Sequence, residues 1–362
     1  MTYYPTYALI THFVTLIAIL SIRYHYKVRT IFYFFIASLI TFFISFLILT
    51  DYGIYDAAYQ NINLDAPIQD SFWIIGENPS PYEPLYVVLT YVARLFSENY
   101  NYIRVFMVLL ALLIKIVFLL RWGSFYSIAF VFYISILFYP DSYLLRASLS
   151  ASFLLLATWS IFDNKSFISF LFFVLLAAGF HISALVFLPF WFIRNIKLST
   201  KTYYVILFFI LLTSFYEIGL PLVNVFITMF AGSENALLFQ KLIMYSNSED
   251  LANNSGYGFS SIIYFSIALA TIAFKKTLVS IMPNYHFVLI MILFSLLMLQ
   301  GFSDLPVIGE RLFRMTSFFL VIAFGYLLNV LNKHDKLLIS TLIIVILNII
   351  PYITDAGPFI LL

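Results

Sequence analysis

The long apolar runs, such as Val105–Leu120 and Leu337–Ile350, constrain this chain more than any motif does. They lack the polar–apolar alternation that a membrane β-barrel strand requires. In a bilayer the backbone N–H and C=O groups must be satisfied internally, so a continuous apolar run reads as a helix. Over the whole chain 63% of residues are hydrophobic and 10% are charged. Soluble domains carry about 25% charged residues, and no core of this size hides so much apolar surface. Lipid must be its solvent. The sequence therefore predicts an all-α polytopic integral membrane protein. It reads as one membrane domain over residues 1–362, with about twelve helical membrane segments, some of them short or re-entrant.

Charge sets the orientation. Six basic clusters lie between apolar runs: Arg23/Lys27/Arg29, Arg121, Lys165, Arg194/Lys197/Lys201, Lys275/Lys276 and Lys333/Lys336. By the positive-inside rule all six are cytoplasmic, which places both termini on the outer face. The spans then fall near 7–22, 30–50, 102–120, 125–140, 143–161, 166–179, 182–193, 203–220, 259–274, 285–300, 315–331 and 337–353. Two outer-face loops, about 51–82 and 221–258, and a shorter one at 301–313 remain. Residues 166–193 are basic at both ends and must cross an even number of times, yet two full spans need about 40 residues. They read as two short helices meeting at Gly179–His181. Residues 84–96 are apolar but too short to span, and read as an interfacial or re-entrant helix beginning at Pro84. The stretch Ala236–Tyr245 is amphipathic and suited to lie flat on the membrane. No positive charge precedes the first apolar run, so no cleavable signal is expected. Cysteine is absent, which excludes disulfides and thiolate metal sites.

Seven basic residues fall outside the cytoplasmic clusters: Arg94, Arg104, Lys115, Arg146, Lys241, Arg311 and Arg314. Most are arginine, whose planar fork binds phosphate bidentately and stays charged when desolvated. Arg146 sits one turn into a span, where an ionisable residue is a functional candidate by default. The alternative is a snorkelling side chain or an ion pair with Asp141. Arg311 and Arg314 are phosphate-ligand candidates of the same kind, unless Glu310 simply pairs with one of them. Lys115, mid-span, is suited to neutralise a buried acid and is given no other role. Glu83, just before Pro84, falls at a helix start, where the helix dipole favours a carboxylate. Such a group can serve as a base for a sugar hydroxyl, or merely begin the helix. Asp51 and Asp56, with Tyr52, Tyr55 and Tyr59 near them in sequence, combine carboxylates with aromatic rings. That mixture suits carbohydrate and equally an interfacial aromatic belt. His181 lies at the hairpin tip, where a polar ring needs a partner, either structural or catalytic. No metal-ligand spacing, phosphate-binding glycine loop or nucleophile elbow is present.

The runs Asp51-Tyr-Gly-Ile-Tyr-Asp56, Tyr82-Glu83-Pro84-Leu85-Tyr86, Leu145-Arg146-Ala-Ser-Leu149 and Phe180-His181-Ile-Ser-Ala184, in this order, resemble the EpsG family of bacterial exopolysaccharide proteins. That family includes Wzy-type O-antigen and capsule polymerases. Arg311-Leu-Phe-Arg314 resembles the family's late arginine region more loosely, and Ala147 stands where relatives often have glutamine. The resemblance implies a glycosyltransferase in the bacterial inner membrane. It would polymerise undecaprenyl-pyrophosphate-linked repeats at the outer face, as in lipopolysaccharide or exopolysaccharide synthesis. It implies no cofactor and no nucleic-acid partner. Expected partners are lipid-linked glycans, membrane lipid, a chain-length regulator and other assembly proteins. The candidate roles are catalytic for Glu83, His181 and Asp56. Substrate binding is expected of Arg146, Arg311, Arg314, Tyr82, Asp51 and Asp141. The rival readings are another polyprenyl-linked sugar transferase or ligase, a flippase for the same lipids, or a non-catalytic member of an export complex.

Overall fold

A computed structural model describes residues 52–62, 64, 82–124, 126–138, 141, 144–213, 216, 218–229 and 259–330. Asp51, the expected spans 7–22, 30–50 and 337–353, and the stretch Ala236–Tyr245 lie outside these residues. Among the described residues every regular element is helical and no strand occurs. In chain order the α-helices are α1 (Tyr52–Gln60), α2 (Pro84–Arg94), α3 (Tyr100–Trp122), α4 (Tyr126–Ile136), α5 (Leu145–Phe162), α6 (Phe167–Ala178), α7 (Phe190–Ile193), α8 (Thr200–Thr213), α9 (Gly219–Met229), α10 (Phe259–Ala273), α11 (Lys275–Ile281), α12 (Tyr285–Gly301), α13 (Pro306–Thr316) and α14 (Phe318–Val330). A 3-10 helix covers Ile182–Phe187.

Two of these helices, α3 and α5, are long and apolar enough to cross a membrane alone. At 23 residues α3 is about 34 Å long, against a hydrocarbon core of about 30 Å. Two bent pairs are also apolar enough if each counts as one span. They are α10 with α11, turned by 78°, and α13 with α14, turned by 47°. The protein is thus a membrane protein, all-helical among its described residues.

The chain divides into two compact units. The first comprises Leu20–Phe118 and Phe138–Trp191. Its central helix is α5, whose buried residues include Ala147, Ser148, Ser150, Ala151, Ser152, Ala157, Thr158 and Ser160. Small side chains let neighbouring backbones approach, and their hydroxyls bond across the gap. Ser150 Oγ donates to the Ala177 carbonyl of α6 at 2.9 Å, and Ser152 Oγ to the Ala111 carbonyl of α3 at 3.2 Å. The Ser160 and Ser169 hydroxyls bond at 2.9 Å.

Ser166 caps α6 by accepting the Ser169 N–H, and the helix ends at Gly179. The hairpin tip falls at Gly179–His181, as its length requires. The returning arm starts as 3-10, and Pro189, which has no N–H to donate, separates that helix from α7. Pro84 occupies the first turn of α2, as expected. The Leu85 N–H, one of the donors a helix start leaves unpaired, bonds the Gly179 carbonyl at 2.8 Å. The start of α2 and the tip of the hairpin are therefore joined main chain to main chain.

The second unit comprises Met1–Ile19, Leu119–Leu137 and Phe192–Leu362. In it α12 packs on α8 and α13, and α14 packs on α4 and α10. A Cβ on Gly325 would stand 2.1 Å from the Ser124 carbonyl oxygen, so α14 passes this turn only as glycine. Asn329 reinforces the contact by bonding the Ser124 hydroxyl. In the stretch expected as loop 301–313 the structure forms α13. This helix alternates Val307, Ile308, Leu312 and Phe313 with Glu310, Arg311 and Arg314, too polar for a hydropathy reading to detect. Residues 221–229 are likewise helical, as part of α9. Asp304 accepts from the first N–H groups of that helix, Gly219 and Leu220, at 3.1 and 2.6 Å.

Candidate functional site

The sequence-derived candidates Glu83, Arg146, Tyr82 and His181 come together in the first unit. Glu83 is the N-cap residue of α2, in extended conformation, but its carboxylate makes no capping bond to its own helix. It reaches α5 instead, where Oε2 accepts from Arg146 Nη1 at 2.5 Å. Its other oxygen, Oε1, accepts from the Ile182 N–H at the start of the 3-10 helix at 3.4 Å. Both members of the pair are buried, Glu83 at 2% exposure and Arg146 at 9%. A charge so placed is costly to desolvate, and removing one partner of a buried pair costs about 3–5 kcal/mol.

Tyrosines enclose the guanidinium. The centre of the Arg146 fork lies 4.9 Å from the Tyr82 ring centroid and 5.5 Å from those of Tyr55 and Tyr86. Each ring presents a negative face to the cation, a contact worth about 2 kcal/mol or more when desolvated. Tyr55 Oη accepts from both Nε and Nη2 of Arg146, each at 3.4 Å. Tyr100 extends the cluster: its ring stacks on Tyr55 with centroids 6.3 Å apart, and its hydroxyl lies 3.4 Å from that of Tyr86. Helix α1, which carries Tyr55, is pinned at its far end. There Tyr59 Oη donates to the Ser97 carbonyl at 2.7 Å, and Gln60 Nε2 donates to the Glu98 carbonyl at 2.8 Å.

His181 is buried at the hairpin tip, 6% exposed, and is the N-cap residue of the 3-10 helix. Its Nδ1 accepts the Ser183 N–H at 3.3 Å. A neutral imidazole bonded this way carries its proton on Nε2 and presents a donor there. The N–H that reaches Glu83 belongs to the next residue, so His181 adjoins the pair through its backbone.

The other candidates lie elsewhere. Asp56 follows Tyr55 on α1, about 100° further around the helix, and accepts from Gln60 at 3.2 Å. Asp141, the alternative partner weighed for Arg146, faces Lys115 instead in a buried ion pair. Lys115 also donates to Ser148 Oγ at 3.1 Å, so the acid neutralises a mid-span cation. Arg311 and Arg314 stand on α13 in the other unit. Arg314 is 5% exposed and pairs with Glu310 at 3.3 Å, the local pairing weighed for it. Among the described residues no three histidine or acidic side chains gather as a metal site.

Tyr86 and Tyr100 were not singled out from sequence as site residues. A signal for Tyr86 was present: Tyr82/Tyr86 repeat the four-residue spacing of Tyr55/Tyr59, which groups rings on one side of a turn.

The EpsG family model matches residues 28–355. The chain belongs to the EpsG family. EpsG is a Wzy-like polymerase family, so the buried pair and its tyrosine enclosure belong to a membrane protein associated with polysaccharide polymerisation. No curated protein and no solved structure matches this EpsG-family chain.

Proposed function

We propose that the protein is a glycosyltransferase that polymerises undecaprenyl-pyrophosphate-linked oligosaccharide repeats at the outer face of the bacterial inner membrane. The observation that carries the reading is the buried Glu83–Arg146 pair among tyrosines in a chain of a polymerase family. About twelve spans, both termini outside and two outer-face loops belong to the same reading, as do lipid-linked glycans and a chain-length regulator as partners.

In the reaction the C–O bond between the donor sugar and its pyrophosphate breaks, and an acceptor hydroxyl forms the new C–O bond. The pyrophosphate leaves as an anion, and Arg146 stabilises the charge that develops on it. The acceptor proton passes to a base and then to water. Glu83 is the better base of the two candidates, since Oε2 stays on Arg146 while Oε1, which accepts from the Ile182 N–H at 3.4 Å, faces the hairpin tip. His181, a donor at Nε2, orients the acceptor. The aromatic rings offer stacking faces to the sugar. No cofactor enters this scheme.

The test uses the purified full-length chain in lipid nanodiscs with a lipid-linked repeat. The wild type should build a ladder of polymer. Glu83→Gln and Arg146→Lys should leave single repeats on the lipid, with rates lower by roughly 10²-fold or more, although both variants insert. A normal ladder from either variant refutes the assigned roles. Passage of lipid between leaflets with no polymer would favour the flippase reading.

A further inference from the structure

The two edges of the Arg146 guanidinium are bonded very differently. Nη1 makes a 2.5 Å charge-assisted bond to Glu83. The Nε/Nη2 edge, which has the fork geometry that accepts two phosphate oxygens, faces one neutral oxygen. That oxygen, Tyr55 Oη, is shared by both N–H groups at 3.4 Å, against an ordinary N–H···O distance of about 2.9–3.0 Å. Neighbouring rings, not Arg146 alone, keep Tyr55 beside the fork. Its ring lies against Tyr82, Tyr86 and Tyr100, with centroids 6.0, 6.0 and 6.3 Å away, and its helix is tied to Ser97 and Glu98. A phenol oxygen that accepts from Arg146 keeps its own O–H as a donor. Nε–H, Nη2–H and Oη–H thus meet at one half-buried place, beside a carboxylate already neutralised by the same arginine.

We infer that this edge of Arg146 is the anion-binding position and that the Tyr55 hydroxyl is the third donor to the phosphate seated there. The inference rests on the polymerase reading of the Arg146 site. On binding, the phosphate takes the seat that the Tyr55 oxygen holds between Nε and Nη2: the phenol shifts aside, two phosphate oxygens take the two protons at charge-assisted lengths, and the Tyr55 O–H donates to the same phosphate. Glu83 keeps Nη1 throughout, so phosphate binding and the base do not compete for one edge. Tyr55 is then a substrate-binding residue in its own right, rather than part of a general aromatic surface.

Geranylgeranyl diphosphate serves as the probe, added to the full-length chain in nanodiscs, with geranylgeraniol as the control for the lipid tail. The diphosphate should raise the melting temperature of the wild type in a saturable way. Tyr55→Phe, which keeps the ring and its packing, should melt like the wild type without ligand. It should bind the diphosphate roughly ten- to hundredfold more weakly, the scale of one hydrogen bond to a charged group. Its response to geranylgeraniol should be unchanged, and its kcat/KM for the lipid-linked repeat should fall by a similar factor. If the wild type binds the diphosphate normally and Tyr55→Phe binds it equally or more tightly, Tyr55 is no ligand and this inference alone falls. If the wild type shows no diphosphate-dependent stabilisation, the Arg146 reading falls and takes the inference with it.

Discussion

Replacing Gly179 with alanine tests how the hairpin tip holds the site. A Cβ there would stand 2.4 Å from Leu85 Cδ1, 2.5 Å from Cγ and 3.1 Å from Cβ. Carbon atoms pack comfortably at about 3.5–4.0 Å, so the shortfall is on the order of 1 Å. Rotating the Leu85 side chain relieves Cδ1 but leaves Cβ close, because the 2.8 Å bond from the Leu85 N–H to the Gly179 carbonyl fixes the two backbones. The start of α2 must therefore retreat, at an overpacking cost of about 1–3 kcal/mol. Glu83 lies two residues before Leu85 and moves with it. A displacement of about 1 Å in a reacting group costs roughly 10²-fold in rate. Gly179→Ala should consequently lose polymer far more than it loses folded protein. Adding Leu85→Ala, which leaves only the 3.1 Å contact to relax, should recover most of the activity. Polymer ladders and melting temperatures of the two single variants and the double variant form a complete cycle. A wild-type ladder from Gly179→Ala, or no recovery in the double variant, would refute the argument that this contact positions Glu83.

Two further outcomes are expected. Lys115→Met leaves Asp141 buried without its cation and should lower stability by about 3–5 kcal/mol, whereas Lys115→Met with Asp141→Leu should recover much of it, read as melting temperature in detergent. A cysteine at Glu98, whose side chain is 90% exposed, should react with an impermeant thiol reagent added to intact spheroplasts, and one at Ser199 should not; labelling at Ser199 alone would invert the orientation.

Features set by one stretch of chain were legible in the sequence. Hydropathy marks α3 and α5, Pro84 marks the start of α2, and the short apolar stretch between basic ends marks the tip at Gly179–His181. The prospect that Glu83, Arg146 and His181 share one place was legible in their common position beside short outer-face connections. That Glu83 bonds Arg146 directly was not, because the partners are 63 residues apart and nothing local encodes the pairing. Asp141 shows the same limit. It lies five positions before Arg146 in sequence, yet it pairs with Lys115 on another helix. Helix α13 was hidden for a different reason: its polar face dilutes the apolar signal, although the pattern itself is helical.

The small-residue make-up of α5 bears on how such a protein tolerates change. The helix is enclosed nearly all round, and most of its enclosed positions are alanine, serine, threonine or leucine. An added methylene there has nowhere to go, so the restriction is on volume rather than on polarity. On α6, by contrast, Ile168, Phe172 and Leu175 are exposed. A lipid-facing position asks only that a side chain be apolar. Substitutions should therefore accumulate on the outward faces of the unit while α5 stays nearly fixed in bulk. Saturation mutagenesis would then trace the buried axis as a column of positions that accept no added bulk, and Arg146 would mark its N-terminal end as a position that accepts no other side chain at all.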